Sequence, residues 1–136
     1  QEYRIPIKGA HCVIVSRSNI VGKPLAHLLL AQGATVTICH SKTADLASYT
    51  RRADILISAA GVPGLITADM LTRCTAIVDV GITRGKDGKL RGDVCFEEVQ
   101  EKVSFITPVP GGVGPMTRAI LLRNVLQAAQ RRQRGL

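Results

Sequence analysis

The sequence predicts a doubly wound α/β domain, with a mainly parallel sheet and helices on both of its faces. Short apolar runs of strand length alternate with segments of helical character along the chain. These runs are almost continuously apolar, as expected of strands that are buried on both faces of a parallel sheet. The length of 136 residues, with 46% hydrophobic and 21% charged residues, fits one soluble domain. We therefore expect a single domain over residues 1–136, with a core at about 9–129 and a basic tail at 130–136.

Five apolar runs are the predicted strands. Because helical segments join them, right-handed crossovers and a Rossmann-type sheet are expected. In such a sheet, ligands bind at the carboxyl ends of the strands, so the segments that leave those ends are the first place to look for a site. The predicted strands are His11–Val15, Thr35–Cys39, Asp54–Ser58, Ala76–Val80 and Val103–Ile106.

Helix-starting and helix-ending residues predict the helices between these strands. Pro24 near its start and Gly33 past its end delimit the first helix. A second helix is expected over Ala44–Arg52. The pattern therefore places one helix after each of the first two strands.

Two short helices and a final helix are expected in the second half. Thr67 is expected to cap a helix that runs to Leu71. Asp93 is expected to cap one that runs to Lys102. The last helix is expected to begin at Pro115 and to turn apolar residues toward the sheet. These inner residues are Met116, Ala119, Ile120, Val125 and Ala128.

The net charge of +8 limits the classes of partner. It raises nucleic acid as one possibility. However, two Tyr, two Phe and no Trp leave little for bases to stack upon, so nucleic-acid binding is not expected. Phosphorylated or polycarboxylate small molecules fit the same positive field. No apolar run approaches the roughly 20 residues that span a bilayer, and we expect no membrane contact.

The cysteines indicate a reducing compartment. They are widely spaced and form no C-x-x-C pair, so we expect reduced thiols rather than zinc ligands or disulfides. A cytoplasmic or mitochondrial-matrix location follows as an expectation. The four are Cys12, Cys39, Cys74 and Cys95.

The turn after the first predicted strand resembles a dinucleotide-binding turn that has lost most of its glycines. In that fold, backbone N–H groups and a helix N-terminus face the pyrophosphate. Here Ser16, Arg17 and Ser18 replace the glycine-rich part, and only Gly22 keeps its place. Two hydroxyls and a guanidinium can donate to phosphate instead. An ordinary strand-to-helix loop is the alternative interpretation of this turn alone.

The end of the second predicted strand favours NADP over NAD. Folds that select NAD commonly place an acidic residue there to hold the ribose hydroxyls. This chain has His40, Ser41 and Lys42 at that point, and the first carboxylate is Asp45. A carboxylate would repel a 2′-phosphate, whereas Ser41, Lys42 and the nearby Arg17 would bind it.

The stretch TPVPGGVGPMT, at residues 107–117, predicts a stiff loop with few side chains that leads into a helix N-terminus. Such a loop lets a flat ligand approach the backbone closely; a tight structural turn is the alternative. Asp79 and Asp93 are separate carboxylates, and the three histidines are scattered. We expect Asp79 to hydrogen-bond its own loop rather than to act as a base. No catalytic residue is therefore assigned.

Six motifs, taken together, resemble the C-terminal, cofactor-binding lobe of the methylenetetrahydrofolate dehydrogenase/methenyltetrahydrofolate cyclohydrolase family. They are VIVSRSNIVGKP, VTICHSKT, ADILISAAGVPGLI, AIVDVGI, LRGDVCFEEV and ITPVPGGVGPMT, in this order. The resemblance extends from about Gly9 to Ala129. It implies oxidation of 5,10-methylenetetrahydrofolate with NADP, followed by hydrolysis of the methenyl product to 10-formyltetrahydrofolate, in a homodimer.

The resemblance also assigns site residues by position. Ser16, Arg17 and Ser18 match the nucleotide turn, Ser41 the contact with the 2′-phosphate, and Ile82 a cofactor contact after the D-V-G motif. Tetrahydrofolate derivatives are the expected substrates. The loop on the folate side of the cleft is matched by Pro110, Gly111, Gly112, Val113 and Gly114.

The chain departs from the family pattern in two ways. Ser16 stands where the family usually has glycine. The catalytic Y-x-x-x-K motif of the family lies in an N-terminal lobe, and neither Tyr3 nor Tyr49 has a lysine four residues later. We therefore expect that the N-terminal catalytic lobe is absent and that the isolated chain is inactive. A catalytically silent Rossmann domain kept for dimerisation or folding is the alternative.

Overall fold

A five-stranded parallel sheet forms the centre of the computed structural model, which describes residues 3–72, 74 and 76–135. The strands of this sheet are β1 (His11–Val15), β2 (Thr35–Cys39), β3 (Ile55–Ser58), β4 (Ala76–Asp79) and β7 (Phe105–Ile106). Every neighbouring pair of strands is parallel, and the order across the sheet is β2-β1-β3-β4-β7. The predicted fold class is confirmed.

The three central strands, β1, β3 and β4, are largely buried on both faces, which explains why they are almost continuously apolar. Along β1, Val13 and Val15 belong to one apolar cluster, whereas Cys12 and Ile14 belong to another. Alternate residues of a strand point to opposite faces, so the two clusters are two layers of core. Leu56 of β3 is completely buried in the first layer.

Helices cover both layers. The helix α1 (Gly22–Ala31) packs Ala26 and Leu29 against one layer. On the other layer lie α2 (Leu46–Thr50), a single 3₁₀ turn (Ala68–Met70) and α3 (Phe96–Val99). The helix α2 is shorter than the predicted Ala44–Arg52.

The two predicted short helices exist, but their expected caps differ. The 3₁₀ turn follows Thr67, whose hydroxyl donates to the Asp69 carboxylate at 2.6 Å and caps no backbone group. The prediction that Asp93 caps the next helix is wrong, because Cys95 occupies the N-cap of α3. Asp93 is instead completely buried, and its carboxylate accepts hydrogen bonds from residues 58–62.

The last helix, α4 (Val113–Gln133), does not pack against the sheet. It starts two residues before the predicted Pro115, and every residue from Pro115 to Gly135 is exposed. The prediction of an inner apolar side was wrong because the apolar residues surround the helix. Met116 and Val125, for example, are separated by about two and a half turns and lie on opposite sides.

A small antiparallel hairpin, formed by β5 (Thr83–Arg84) and β6 (Leu90–Arg91), follows β4. The sequence patterns did not predict it, because two-residue strands carry no periodicity. Within the described residues, no helix is long and apolar enough to cross a membrane. All four cysteines are free thiols, and three of them are buried.

Candidate cofactor and substrate site

The predicted site residues lie at the carboxyl edge of the parallel sheet. Val15 and Cys39 are paired in register at the ends of β1 and β2. Arg17 and Ser41, each two residues further on, therefore leave the sheet at the same level. On the other side of β1 lies β3, so the chain reverses direction across the sheet at β1, where such folds bind dinucleotides.

Side-chain hydrogen bonds close the turn after β1. The Ser18 hydroxyl accepts hydrogen bonds from the backbone N–H groups of Val21, at 3.1 Å, and Gly22, at 3.2 Å. Ser16 is buried, and its hydroxyl donates to the Ser18 hydroxyl at 3.3 Å. The extra side chain of Ser16 is therefore folded into the turn, whereas Arg17 is exposed.

Gly22 is required where α1 begins. A Cβ atom built on it would overlap the backbone carbonyl oxygen of Ser16 and lie 2.7 Å from the carbonyl carbon. The glycine thus brings the N-terminus of α1 against the end of β1, as in dinucleotide-binding turns.

The segment after β2 forms a tight turn that exposes polar side chains. The Thr43 N–H donates to the His40 carbonyl at 2.8 Å, and the Thr43 hydroxyl accepts from the His40 N–H at 2.9 Å. Ser41 and Lys42, between them, are exposed. The Asp45 carboxylate accepts from the Ser48 N–H at 3.2 Å and so caps α2. Within the turn at residues 40–43, the exposed side chains are therefore the hydroxyl of Ser41 and the cation of Lys42.

A cavity of about 410 Å³ opens at the carboxyl ends of β4 and β7. Ile82 lines it together with all five residues predicted on the folate side: Pro110, Gly111, Gly112, Val113 and Gly114. The structure therefore brings one predicted cofactor residue, Ile82, together with the predicted folate-side residues. The lining does not include Ser16, Arg17, Ser18 or Ser41, which follow β1 and β2.

The backbone of the Pro-Gly loop, residues 107–114, forms much of the cavity wall. The Val109–Pro110 peptide bond is cis, and Gly111 has a φ of +106°, which favours glycine. A Cβ atom on Gly112 would lie 2.5 Å from the Pro108 carbonyl oxygen. A flat ligand can approach the loop backbone closely at Gly111, Gly112 and Gly114, which carry no side chain.

Three further lining residues lie outside the stretch 107–117 and were not singled out as site residues by the sequence patterns. Asp79 and Leu90 line the cavity, as does Arg118 on the first turns of α4. Leu90 lies on the unpredicted hairpin, so no periodicity signalled it. Arg118 follows the Pro-Gly loop by one helical turn, and this spacing is the signal that could have found it.

Asp79 is 3% exposed, which is unusual for a carboxylate. It accepts hydrogen bonds from three backbone N–H groups: Gly81 at 2.9 Å, Asp93 at 3.1 Å and Val94 at 2.9 Å. The expectation that Asp79 hydrogen-bonds its own loop is thus confirmed. Burial raises the pKa of Asp79, and the nearby Asp93 carboxylate raises it further, while the three hydrogen bonds oppose this rise. Within the described residues, no group of three or more His, Cys, Asp or Glu side chains could hold a metal ion.

Comparison with known proteins decides the family. Residues 1–133 match the model of the tetrahydrofolate dehydrogenase/cyclohydrolase, NAD(P)-binding domain. The chain belongs to this family. Among its relatives, the bifunctional protein FolD of Nitrosospira multiformis is 63% identical over 130 residues, which are 96% of this chain and 45% of that protein. The bifunctional protein FolD of Nitrosomonas europaea is 58% identical over 130 residues, which are 96% and 44% of the two chains.

Solved structures agree with the fold. The FolD methylenetetrahydrofolate dehydrogenase/cyclohydrolase of Campylobacter jejuni has a TM-score of 0.94 at 54% identity, over 96% of this chain and 46% of that one. The Trypanosoma brucei FolD, solved with NADP cofactor and an inhibitor, has a TM-score of 0.87 at 41% identity, over 96% and 46%. The chain spans about half the length of the curated relatives it matches, and the match is to their C-terminal part.

Proposed function

We propose that this chain is the NADP-binding lobe of a bifunctional folate enzyme, which oxidises 5,10-methylenetetrahydrofolate and hydrolyses 5,10-methenyltetrahydrofolate to 10-formyltetrahydrofolate. The observation that carries the proposal is the arrangement at the carboxyl edge of the sheet. A turn with hydrogen-bond donors for phosphate follows β1, and a turn with an exposed lysine follows β2. A cavity lined largely by backbone follows β4 and β7. The FolD relatives add the reaction class.

The residues present fit a dinucleotide phosphate. Gly22 allows the close approach of α1 to β1, which a pyrophosphate site of this type requires. The N–H groups of Val21 and Gly22 are already bound by Ser18, so the side chain of Arg17 and the remaining turn N–H groups are the donors for phosphate. NADP bound here would supply the hydride acceptor for the oxidation.

The turn after β2 supports NADP over NAD. Arg17, Ser41 and Lys42 are exposed donors, whereas the nearest carboxylate, Asp45, is engaged as a helix cap. A 2′-phosphate gains charge-assisted hydrogen bonds from such donors. Residues 40–43 include no carboxylate that would bind a free 2′-hydroxyl.

The cavity supports a folate substrate beside the cofactor. Ile82, a predicted cofactor residue, follows β4 and lines the cavity with the Pro-Gly loop. Backbone walls and apolar side chains suit a flat ring system. The cationic Arg118 at the rim suits the carboxylates of a folate tail.

A titration of the 136-residue chain with NADP, NAD and a single-stranded oligonucleotide tests the proposal. Saturable binding of NADP that is tighter than that of NAD supports it. If none of the three ligands binds, the alternative of a silent Rossmann domain is favoured. A steep, salt-dependent oligonucleotide isotherm without NADP binding would instead reassign the positive charge to nucleic acid.

The partners and the location are also proposals. The family supports a homodimer, and sedimentation equilibrium of the chain, alone and mixed with a separately produced N-terminal lobe of a FolD relative, tests both partners. Four free thiols support a reducing compartment, either the cytoplasm or the mitochondrial matrix. Imaging of a fluorescent fusion tests the location.

A further inference from the structure

A completely buried carboxylate holds the loop that follows β3. The Oδ2 atom of Asp93 accepts hydrogen bonds from the Ser58 hydroxyl at 2.9 Å, the Ala60 N–H at 2.7 Å and the Gly61 N–H at 3.2 Å. Its Oδ1 atom accepts from the Val62 N–H at 2.9 Å. Three successive N–H groups are thus fixed by one side chain from 31–33 residues further along the chain.

A second carboxylate fixes Asp93 itself. Asp79 accepts from the Asp93 N–H and, on the loop after β4, from the Gly81 N–H. Each carboxylate also packs on a glycine, because a Cβ atom on Gly81 would overlap the Asp93 carboxylate and one on Gly92 would overlap that of Asp79. The loop after β3, the loop after β4 and residues 92–94 are therefore locked to one another.

The position of the loop after β3 relates it to one half of a dinucleotide. The adenosine half of a dinucleotide lies over the β1 and β2 side of the crevice, where Arg17 and Ser41 are placed. The strand order puts β3 and β4 on the other side of β1. A dinucleotide bound in this way would place its nicotinamide half against their loops, at residues 59–62 and 80–82.

We propose that Asp93 is a positioning residue for the nicotinamide half of the cofactor. It does not touch the cofactor, and it acts by holding the backbone of residues 60–62 in the conformation that the nicotinamide half meets. The inference rests on the proposed function, because it requires that the chain binds NADP.

A carboxylate is the side chain that this task requires. Asp93 is the acceptor in all four hydrogen bonds. A carboxylate suits this role because it offers about four lone-pair sites to donors. In Asp93→Asn, an NH₂ group would replace one of the two oxygens and face at least one loop N–H. The substitution would remove a charge-assisted hydrogen bond and would place one donor against another. Both effects would release the loop.

The dissociation constants of NADP and of adenosine 2′,5′-bisphosphate test this role, measured by calorimetry on the 136-residue chain. The bisphosphate carries the adenosine and the 2′-phosphate but no nicotinamide. For Asp93→Asn we expect NADP to bind about tenfold more weakly, with the bisphosphate unchanged within about twofold. Ser58→Ala removes one donor only and should weaken NADP by about threefold. It also provides the test if Asp93→Asn does not fold. Asp69→Asn makes the same chemical change at an exposed position and should change neither constant.

Hydrogen exchange without cofactor supplies the structural readout. In Asp93→Asn, the amides of residues 60–62 should exchange faster, whereas those of Val21 and Gly22, which Ser18 binds, should not. Equal weakening of both ligands would mean a general loss of structure and would overturn the proposal. So would unchanged NADP binding with a released loop. If the wild-type chain binds the bisphosphate and NADP equally well, the nicotinamide half adds no binding contact that Asp93 could position. Only this inference then fails. If it binds neither, the proposed function itself fails and this inference fails with it.

Discussion

The hydroxyl of Thr107 accepts a hydrogen bond of 2.8 Å from the backbone N–H of Asp79. The Thr107 N–H also donates to the Ile77 carbonyl at 3.1 Å. The first residue of the Pro-Gly loop is thereby attached to the end of β4, next to the cavity. Thr107→Val keeps the shape but leaves the Asp79 N–H without its acceptor. We expect the free energy of unfolding in urea to fall by roughly 1–3 kcal/mol.

Thr117→Val is the matched control, because the Thr117 hydroxyl donates only to the Val113 carbonyl on an exposed helix turn. It should change the free energy of unfolding by less than about 0.5 kcal/mol. Equal effects of the two substitutions would contradict the anchoring role of Thr107.

Arg17→Ala should separate NADP from NAD. Arg17 is exposed beside the turn that carries Ser41, and we place both at the 2′-phosphate. A charge-assisted hydrogen bond is worth roughly 1.5–3 kcal/mol, so the dissociation constant of NADP should rise by about ten- to a hundredfold. That of NAD should change much less. Both constants are compared at one salt concentration, because salt screens an exposed phosphate contact.

Arg131→Ala, on the exposed α4, is the control for the loss of one positive charge and should leave both constants unchanged. If Arg17→Ala weakened NADP and NAD equally, Arg17 would serve the turn or the pyrophosphate. The assignment of the 2′-phosphate site would then be wrong.

The isolated chain should have neither dehydrogenase nor cyclohydrolase activity. Proton transfer at the folate needs a positioned acid or base. Asp79 and Asp93 are bound to backbone N–H groups, and no residue here matches the Y-x-x-x-K motif of the family. An assay of NADPH formation and of methenyl hydrolysis checks this. Turnover by the chain alone would show that the chemistry resides among its own residues.

The sheet could be predicted from the sequence because its central strands are buried on both faces. The apolar run His11–Val15 coincides with β1. The run Thr35–Cys39 coincides with β2, although this edge strand is partly exposed. The role of Asp93 could not be predicted, because its hydrogen-bond partners at residues 58–62 are distant in sequence. The local sequence pattern predicts a helix cap at this position instead. The exposure of α4 was missed for a related reason. Apolar residues predict burial only when they share one face, and those of α4 do not.

Two leucines should show how differently the core and α4 contribute to stability. Leu56 is completely buried in the sheet, whereas Leu122 is 71% exposed on α4. Leu56→Ala should lower the free energy of unfolding by about 2–5 kcal/mol, and Leu122→Ala by less than about 0.5 kcal/mol. Urea titrations at several protein concentrations check both values. A large, concentration-dependent cost for Leu122→Ala would mean that a second copy covers α4.

Alkaline pH should destabilise the protein through Cys74. Burial raises the pKa of this thiol from 9.0 to about 11. Above pH 9 the thiol ionises more readily in the unfolded chain than in the folded one. The stability due to Cys74 is therefore complete below pH 9 and is lost as the pH rises toward 11. The rise of the Cys74 pKa from 9.0 to about 11 corresponds to roughly 2–3 kcal/mol in the free energy of unfolding.

The difference in the free energy of unfolding between wild type and Cys74→Ala should fall between pH 9 and pH 11. Cys95→Ala, at a less buried thiol, should show a smaller change. A wild-type minus Cys74→Ala difference that stays constant from pH 9 to 11 would contradict the raised pKa.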